Sequence, residues 1–136
     1  MASFVYNSVL TDLVNSDIDF GADSFKMMLV TSSYAASKSA HDKRNDVTNE
    51  VSGTGYTAGG NAVVCSLSDD TNKKIITFAA VSWPSASFTT AGAVVYKARG
   101  GSSSLDELVF YLDFNGNVTS AGGTFSVSAS VINLTN

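Results

Sequence analysis

The sequence predicts an all-β fold: an antiparallel β-sandwich of jelly-roll type over residues 1–136, one domain, with a short N-terminal helix or arm and one long irregular loop. Three observations carry this. Leu108, Phe110, Leu112 and Phe114 stand at alternate positions, which gives an extended strand one apolar face. A second alternating run sets Phe125, Val127, Ala129 and Val131 against Thr124, Ser126, Ser128 and Ser130. Between them lie Asn115-Gly116-Asn117 and Gly122-Gly123, and Asn-Gly accepts positive φ cheaply, so the two runs read as a hairpin. Neither run hides its apolar face alone, so the rest of the chain must supply a second layer.

Taken in order, residues 4–14 place Phe4, Val5, Val9, Leu10, Leu13 and Val14 at helical spacing. Short turns of helix ending at Asn15-Ser16, or an extended arm docked on a neighbouring subunit, both satisfy the pattern. Phe25–Val30 is apolar on both faces and reads as a central strand covered on both sides. Thr31 to Gly60 is the long loop, in which Ser39 or Asp42 could cap one helical turn. A structureless loop of this length is unusual in a compact domain and is usually functional or partner-bound, which makes it the first candidate contact surface. Its end, Gly53-Thr54-Gly55-Tyr56-Thr57-Ala58-Gly59-Gly60, lacks the Gly-Lys-Ser/Thr ending of a phosphate loop and precedes a strand. It reads as glycine-rich chain packed closely on another backbone.

Strands follow at Ala62–Leu67 and Lys74–Ala80, joined by a turn over Ser68–Asn72. Pro84 cannot donate a backbone hydrogen bond, so Val81–Ser85 is expected to interrupt the ladder, with Trp83 closing one end of the core. Ala91–Ala98 is a further strand, and Arg99–Ser104 a flexible connection to the Leu108 run. Past Val131 the apolar phase changes at Ile132 and Leu134, so either a bulge restores the phase or the two leave the core.

The chemistry is sparse. Net charge is -4 and the pI about 4.6, with eight Lys and Arg and no cluster beyond Lys43-Arg44 and Lys73-Lys74. Binding to a nucleic acid backbone needs clustered cations, so nucleic acid is not an expected partner. No apolar run approaches the roughly 18 residues of a membrane span, and the N-terminus shows no basic, apolar leader. The expectation is a soluble protein made in the cytoplasm of its cell. Cys65 is the single cysteine, read as a small core hydrophobe between Val63 and Leu67. His41, the single histidine, reads as solvated. The acidic pairs Asp17 with Asp19, Asp69-Asp70 and Asp106-Glu107 read as residues that keep turns and edges wet, and the Ser/Thr positions of 124–130 as a wet sheet face or else a flat surface that pairs with another chain by edge or face contact. Asn117-Val118-Thr119 and Asn133-Leu134-Thr135 match a glycosylation pattern that means nothing without secretion. No catalytic, cofactor-binding or metal-binding residue is assigned.

Three segments together carry a resemblance: 23–34 (Asp-Ser-Phe-Lys-Met-Met-Leu-Val-Thr-Ser-Ser-Tyr), 44–60 (Arg-Asn-Asp-Val-Thr-Asn-Glu-Val-Ser-Gly-Thr-Gly-Tyr-Thr-Ala-Gly-Gly) and 78–84 (Phe-Ala-Ala-Val-Ser-Trp-Pro). In this order they resemble a group of small virion proteins of tailed bacteriophages. The resemblance implies a non-enzymatic capsid decoration (cement) protein. It would bind the outer capsid surface, bridge neighbouring major capsid subunits and stabilise the head, as a homo-oligomer (dimer or trimer) on the virion exterior, assembled in the host cytoplasm. Candidate contacts are Phe4, Val5 and Tyr6, the loop from Thr31 to Gly60, and the tail Ile132 to Asn136. Alternatives are a tail or head-fibre component that binds a receptor, a carbohydrate-binding module using Tyr34, Tyr56 and Trp83, and a hydrolase using paired carboxylates.

Overall fold

The computed structural model describes residues 2–136 as two antiparallel sheets. The larger sheet has the order β1-β7-β6-β2-β3, with β1 Phe4–Val5, β2 Phe25–Val30, β3 Asn61–Val63, β6 Val81–Lys97 and β7 Leu108–Val127. The smaller has the order β4-β5-β8, with β4 Cys65–Asp70, β5 Lys73–Phe78 and β8 Ser130–Thr135. One short helix, α1 (Ser8–Val14), follows β1. The all-β, two-sheet expectation holds.

The sheets are joined by bent strands. The chain passes from one sheet to the other at Val64, at Ala79-Ala80 and at Ser128-Ala129, which makes β3/β4, β5/β6 and β7/β8 three near-continuous strands folded over one core. At this corner the Ala79 N–H donates to the Val64 carbonyl at 2.8 Å. The core sets Ile76 and Phe78 of the small sheet against Phe25, Met27, Val95 and Phe110 of the large one.

This geometry corrects several expectations. The run Ala62–Leu67 is not one strand but two, broken at Val64, and Ser68–Asp70 belongs to β4, leaving Thr71-Asn72 as the tight turn, with Asn72 at φ 61°. The phase change after Val131 is not a bulge. Crossing to the second sheet turns the other parity inward: Ile132 packs on the core, while Leu134 stays 40% exposed outside it.

The Leu108 and Phe125 runs do not form a hairpin. They are two halves of β7, both paired with β6. Asn115 (φ 60°) and Gly116 (φ 135°) spend their conformational freedom on a bulge, where Phe114–Asn117 face Ala91 alone. A second irregularity between Val95 and Tyr96 leaves Val109 without an opposite residue, so Leu108 turns to the other face of the sheet from Phe110. Pro84 does not interrupt the ladder either. It sits at a bulge with Ser85 (φ 52°) in a continuous β6, where no ladder N–H is required. The extra residue shifts the buried positions from Val81 and Trp83 to Ala86, Phe88 and Thr90.

The first part of the loop from Thr31 to Gly60 covers the second face of the large sheet, while the loop's Val51 and Tyr56 join the first core. A second cluster forms on that second face from Tyr6, Met28, Val30, Tyr34, Val94, Tyr96, Leu108 and Tyr111. β2 is thus covered on both sides, as its sequence predicts. Bridges Val30–Glu50, Lys43–Glu107 and Thr54–Ser87 pin the loop. Its one turn is a 3-10 turn at Arg44–Asp46, not capped by Ser39 or Asp42; the Asp46 carboxylate accepts from the Asp42 and Lys43 N–H groups at 2.9 and 3.1 Å. The glycine-rich end lies against backbone as expected: a Cβ on Gly53 would stand 2.7 Å from the Ser87 carbonyl, and one on Gly55 2.7 Å from that of Ser85.

Candidate functional site

Of the three candidate contact segments, two turn out to be part of the fold's own pairing. Phe4 and Val5 form β1 on the edge of β7. Tyr6 is 1% exposed, so it is not a contact residue. Its hydroxyl lies 2.9 Å from that of Tyr34, which lies 2.8 Å from His41 Nδ1. Burial pushes the Tyr6 and Tyr34 hydroxyls above the ordinary tyrosine value. His41 is half-buried and stacked on Tyr34, not solvated. The tail is β8, hydrogen-bonded along β5.

The third segment, the loop, is satisfied internally. Tyr56 Oη accepts from the Leu29 N–H at 3.0 Å and donates to Glu50, whose carboxylate also accepts from the Gly59 N–H at 2.7 Å. Tyr96 Oη donates to the Gly59 carbonyl at 2.6 Å. Backbone and carboxylate groups tied in this way hold their shape without a partner. Tyr34 and Trp83 are buried and Tyr56 is half-buried, so these aromatics do not form the open stacking platform that sugar binding uses.

Asp106 and Glu107 depart furthest from expectation. They are 2% and 4% exposed and sit at the centre of an ion network. Asp106 accepts from Arg44 Nε at 2.7 Å and from the Arg99 N–H at 2.9 Å. Glu107 accepts from Arg99 Nε and Nη2 at 2.8 and 2.9 Å, with Lys43 Nζ at 3.7 Å. Arg44 also lies over the Tyr96 ring, 5.0 Å from its centre. Burial by itself would raise the Glu107 carboxyl; the Arg99 hydrogen bonds and charge, its own backbone and Lys43 reverse this and hold it below the ordinary glutamate value. A carboxyl depressed in the folded state contributes stability above its unfolded pKa and loses it as the pH falls through the folded one. Glu107→Gln is therefore expected to cost about 2 kcal/mol near neutral pH. Urea unfolding should show that gap narrowing at pH values below the ordinary 4.5.

Asp12 behaves oppositely. It is 6% exposed, and its Oδ2 has no hydrogen-bond partner among the described residues. Burial pushes its carboxyl up, against the attraction of Lys43. The charged form is a cost that disappears on acidification, so Asp12→Asn is expected to raise stability by about 1 kcal/mol at pH 7. Thermal unfolding should show the gain vanishing as the pH drops. Burial likewise pushes the Cys65 thiol up to about 11, in keeping with a packing role.

Eight large apolar side chains stay exposed among the described residues. Leu10 and Val14, four residues apart on the outer side of α1, are 66% and 84% exposed. The sequence alone groups them with Val9 and Leu13 as one apolar stripe, and only the packing shows that Val9 and Leu13 meet the core while Leu10 and Val14 do not. A groove of about 310 Å³ between the α1 region and the small sheet is lined by Leu13, Ile18, Phe20, Leu67, Ile76 and Leu134, with Ser16, Asp19 and Lys74 also on its wall. A cavity of about 200 Å³ brings Phe4 and Val5 beside Val131 and Ile132, so the N-terminal strand and the tail meet on one side. Among the described residues no three His, Cys, Asp or Glu side chains converge as metal ligands would, and no helix is long and apolar enough to cross a membrane. No family model, curated protein or solved structure matches the chain.

Proposed function

We propose that this chain is a capsid decoration protein of a tailed bacteriophage, a non-enzymatic cement on the outer surface of the head that bridges neighbouring major capsid subunits. The resemblance of segments 23–34, 44–60 and 78–84 to small phage virion proteins supports the reading. The observation that carries it is the apolar surface of Leu10, Val14 and the Leu13–Leu67–Leu134 groove on a body whose loops are already tied down. Apolar side chains at an otherwise satisfied surface favour a macromolecular contact. A preformed clamp also loses little ordering entropy on docking, so the loop need not find its shape on the capsid. Binding only the assembled shell stabilises that shell by mass action. An acidic chain avoids trapping DNA during assembly. The jelly-roll reading belongs to this proposal, and the three passages between sheets are what favour it.

Purified particles provide the test. A copy number comparable with that of the major capsid protein is expected. A small fraction of it would assign the chain to the tail or a head fibre, and absence from finished particles would overturn the virion reading altogether.

A further inference from the structure

The structure has several sheet edges, and all but one are blunted. β1 and β3 are two and three residues long, and the loop bridges to β2 beside β3. β4 carries Asp69 and Asp70. The outer half of β7 is broken by the bulges at Phe114–Asn117 and Gly122. Short length, charge and bulges are the usual devices that stop edges from pairing with other chains. β8 has none of them: it is a six-residue edge strand, Ser-Val-Ile-Asn-Leu-Thr, regular in register, with no charge, proline or glycine.

Which backbone groups face outward follows from the register. Asn136 lies opposite Asn72, and its N–H donates to the Asn72 carbonyl at 3.3 Å. Opposed residues that exchange hydrogen bonds alternate with pairs that do not. Ser130, Ile132 and Leu134 therefore bond to β5, and Val131, Asn133 and Thr135 aim their N–H and carbonyl groups at the open edge. Ile132 packs on the core and Leu134 lines the groove, so the Val131, Asn133 and Thr135 side chains share the outer face. Val131 is 54% exposed there.

We propose that β8 pairs with β8 of a second copy, antiparallel about a two-fold axis at Asn133, joining two three-stranded sheets into one of six. This register sets Asn133 opposite Asn133 and Val131 opposite Thr135, and uses every outward backbone group. Charge selects a second copy as the occupant. All twenty charged side chains, eight basic and twelve acidic, lie at or before Asp113. The stretch from Phe114 onward is uncharged, so two acidic copies meet along β8 without opposing like charges, and an uncharged strand is complementary to itself in the isologous contact that a two-fold dimer requires. The pairing does not depend on the capsid reading and is measured on the purified chain.

Sedimentation equilibrium of the full chain is expected to give twice its 14.1 kDa mass. Asn133→Pro removes one outward N–H without touching the β5 ladder, and Val131→Lys adds the missing edge charge. Each is expected to yield a monomer with an unchanged far-UV circular dichroism spectrum. Ser68→Lys on β4, the opposite edge of the same sheet, is expected to remain dimeric. Oxidation of Asn133→Cys should cross-link two chains. A monomeric wild type, or a dimer that survives Val131→Lys and does not cross-link through position 133, overturns the proposal.

Discussion

Phe78→Ala is expected to lower the unfolding free energy by about 4 kcal/mol. Phe78 is 0% exposed and meets Phe20, Phe25 and Phe110 nearly edge to face, with ring centres 6.1, 5.5 and 5.1 Å away. It is the last residue of β5, just before the crossing at Ala79-Ala80, so it ties the small sheet to the large one. Truncation loses the transfer energy of the ring and leaves a cavity that the surrounding aromatics fill only in part. Domains of this size are typically stable by about 5–15 kcal/mol, so the loss is a large part of the total. A urea titration should show one transition at a lower midpoint with an unchanged slope. Two separated transitions would mean that the small sheet folds on its own and that the shared core is not what joins the sheets.

Gly60→Ala is expected to be at least as damaging. Gly60 has φ +78°, where an L-residue costs about 1–2 kcal/mol. Steric overlap adds more than this: a Cβ there would run into the Met27 carbonyl and come within 2.7 Å of the Met28 Cα. These atoms belong to β2, bonded to β3 on one side and β6 on the other, so they cannot retreat. Strain and displaced backbone together should cost about 4 kcal/mol or more, which places Gly60→Ala among the severe backbone substitutions. Gly101→Ala supplies the contrast. Nothing lies within 4 Å of its Cβ position and its φ is ordinary, so stability should stay within about 0.5 kcal/mol. Thermal unfolding of the two variants side by side checks the pair. Equal stability would show that the loop can lift away from β2.

The elements whose two faces have a simple periodicity were readable one by one. Phe25–Val30, apolar on both sides, is the strand covered on both sides. The glycine-rich stretch before Asn61 is packed on backbone, and Cys65 is a packing residue. Asn115-Gly116 misled because positive φ serves a turn and a bulge equally well, and the two differ only in which strand lies opposite. Pro84 misled for a related reason: its missing N–H is a defect in a regular ladder and harmless at a bulge. Tyr6 and His41 looked available until Tyr34, far from Tyr6 along the chain, closed over them. Asp106 looked solvated because its partner Arg44 is 62 residues away.

The amino-acid order by itself determined an acidic, all-β chain with an uncharged final stretch and a core of alternating aromatics, because side-chain alternation is a property of each strand taken alone. Only the tertiary structure decided that β6 claims both halves of β7, that the first part of the long loop lies down on the second face of the sheet, and that β8 is left as the open edge. Pairing energy depends on groups far apart in the chain, and a single extra residue at a bulge shifts every side chain beyond it to the opposite face.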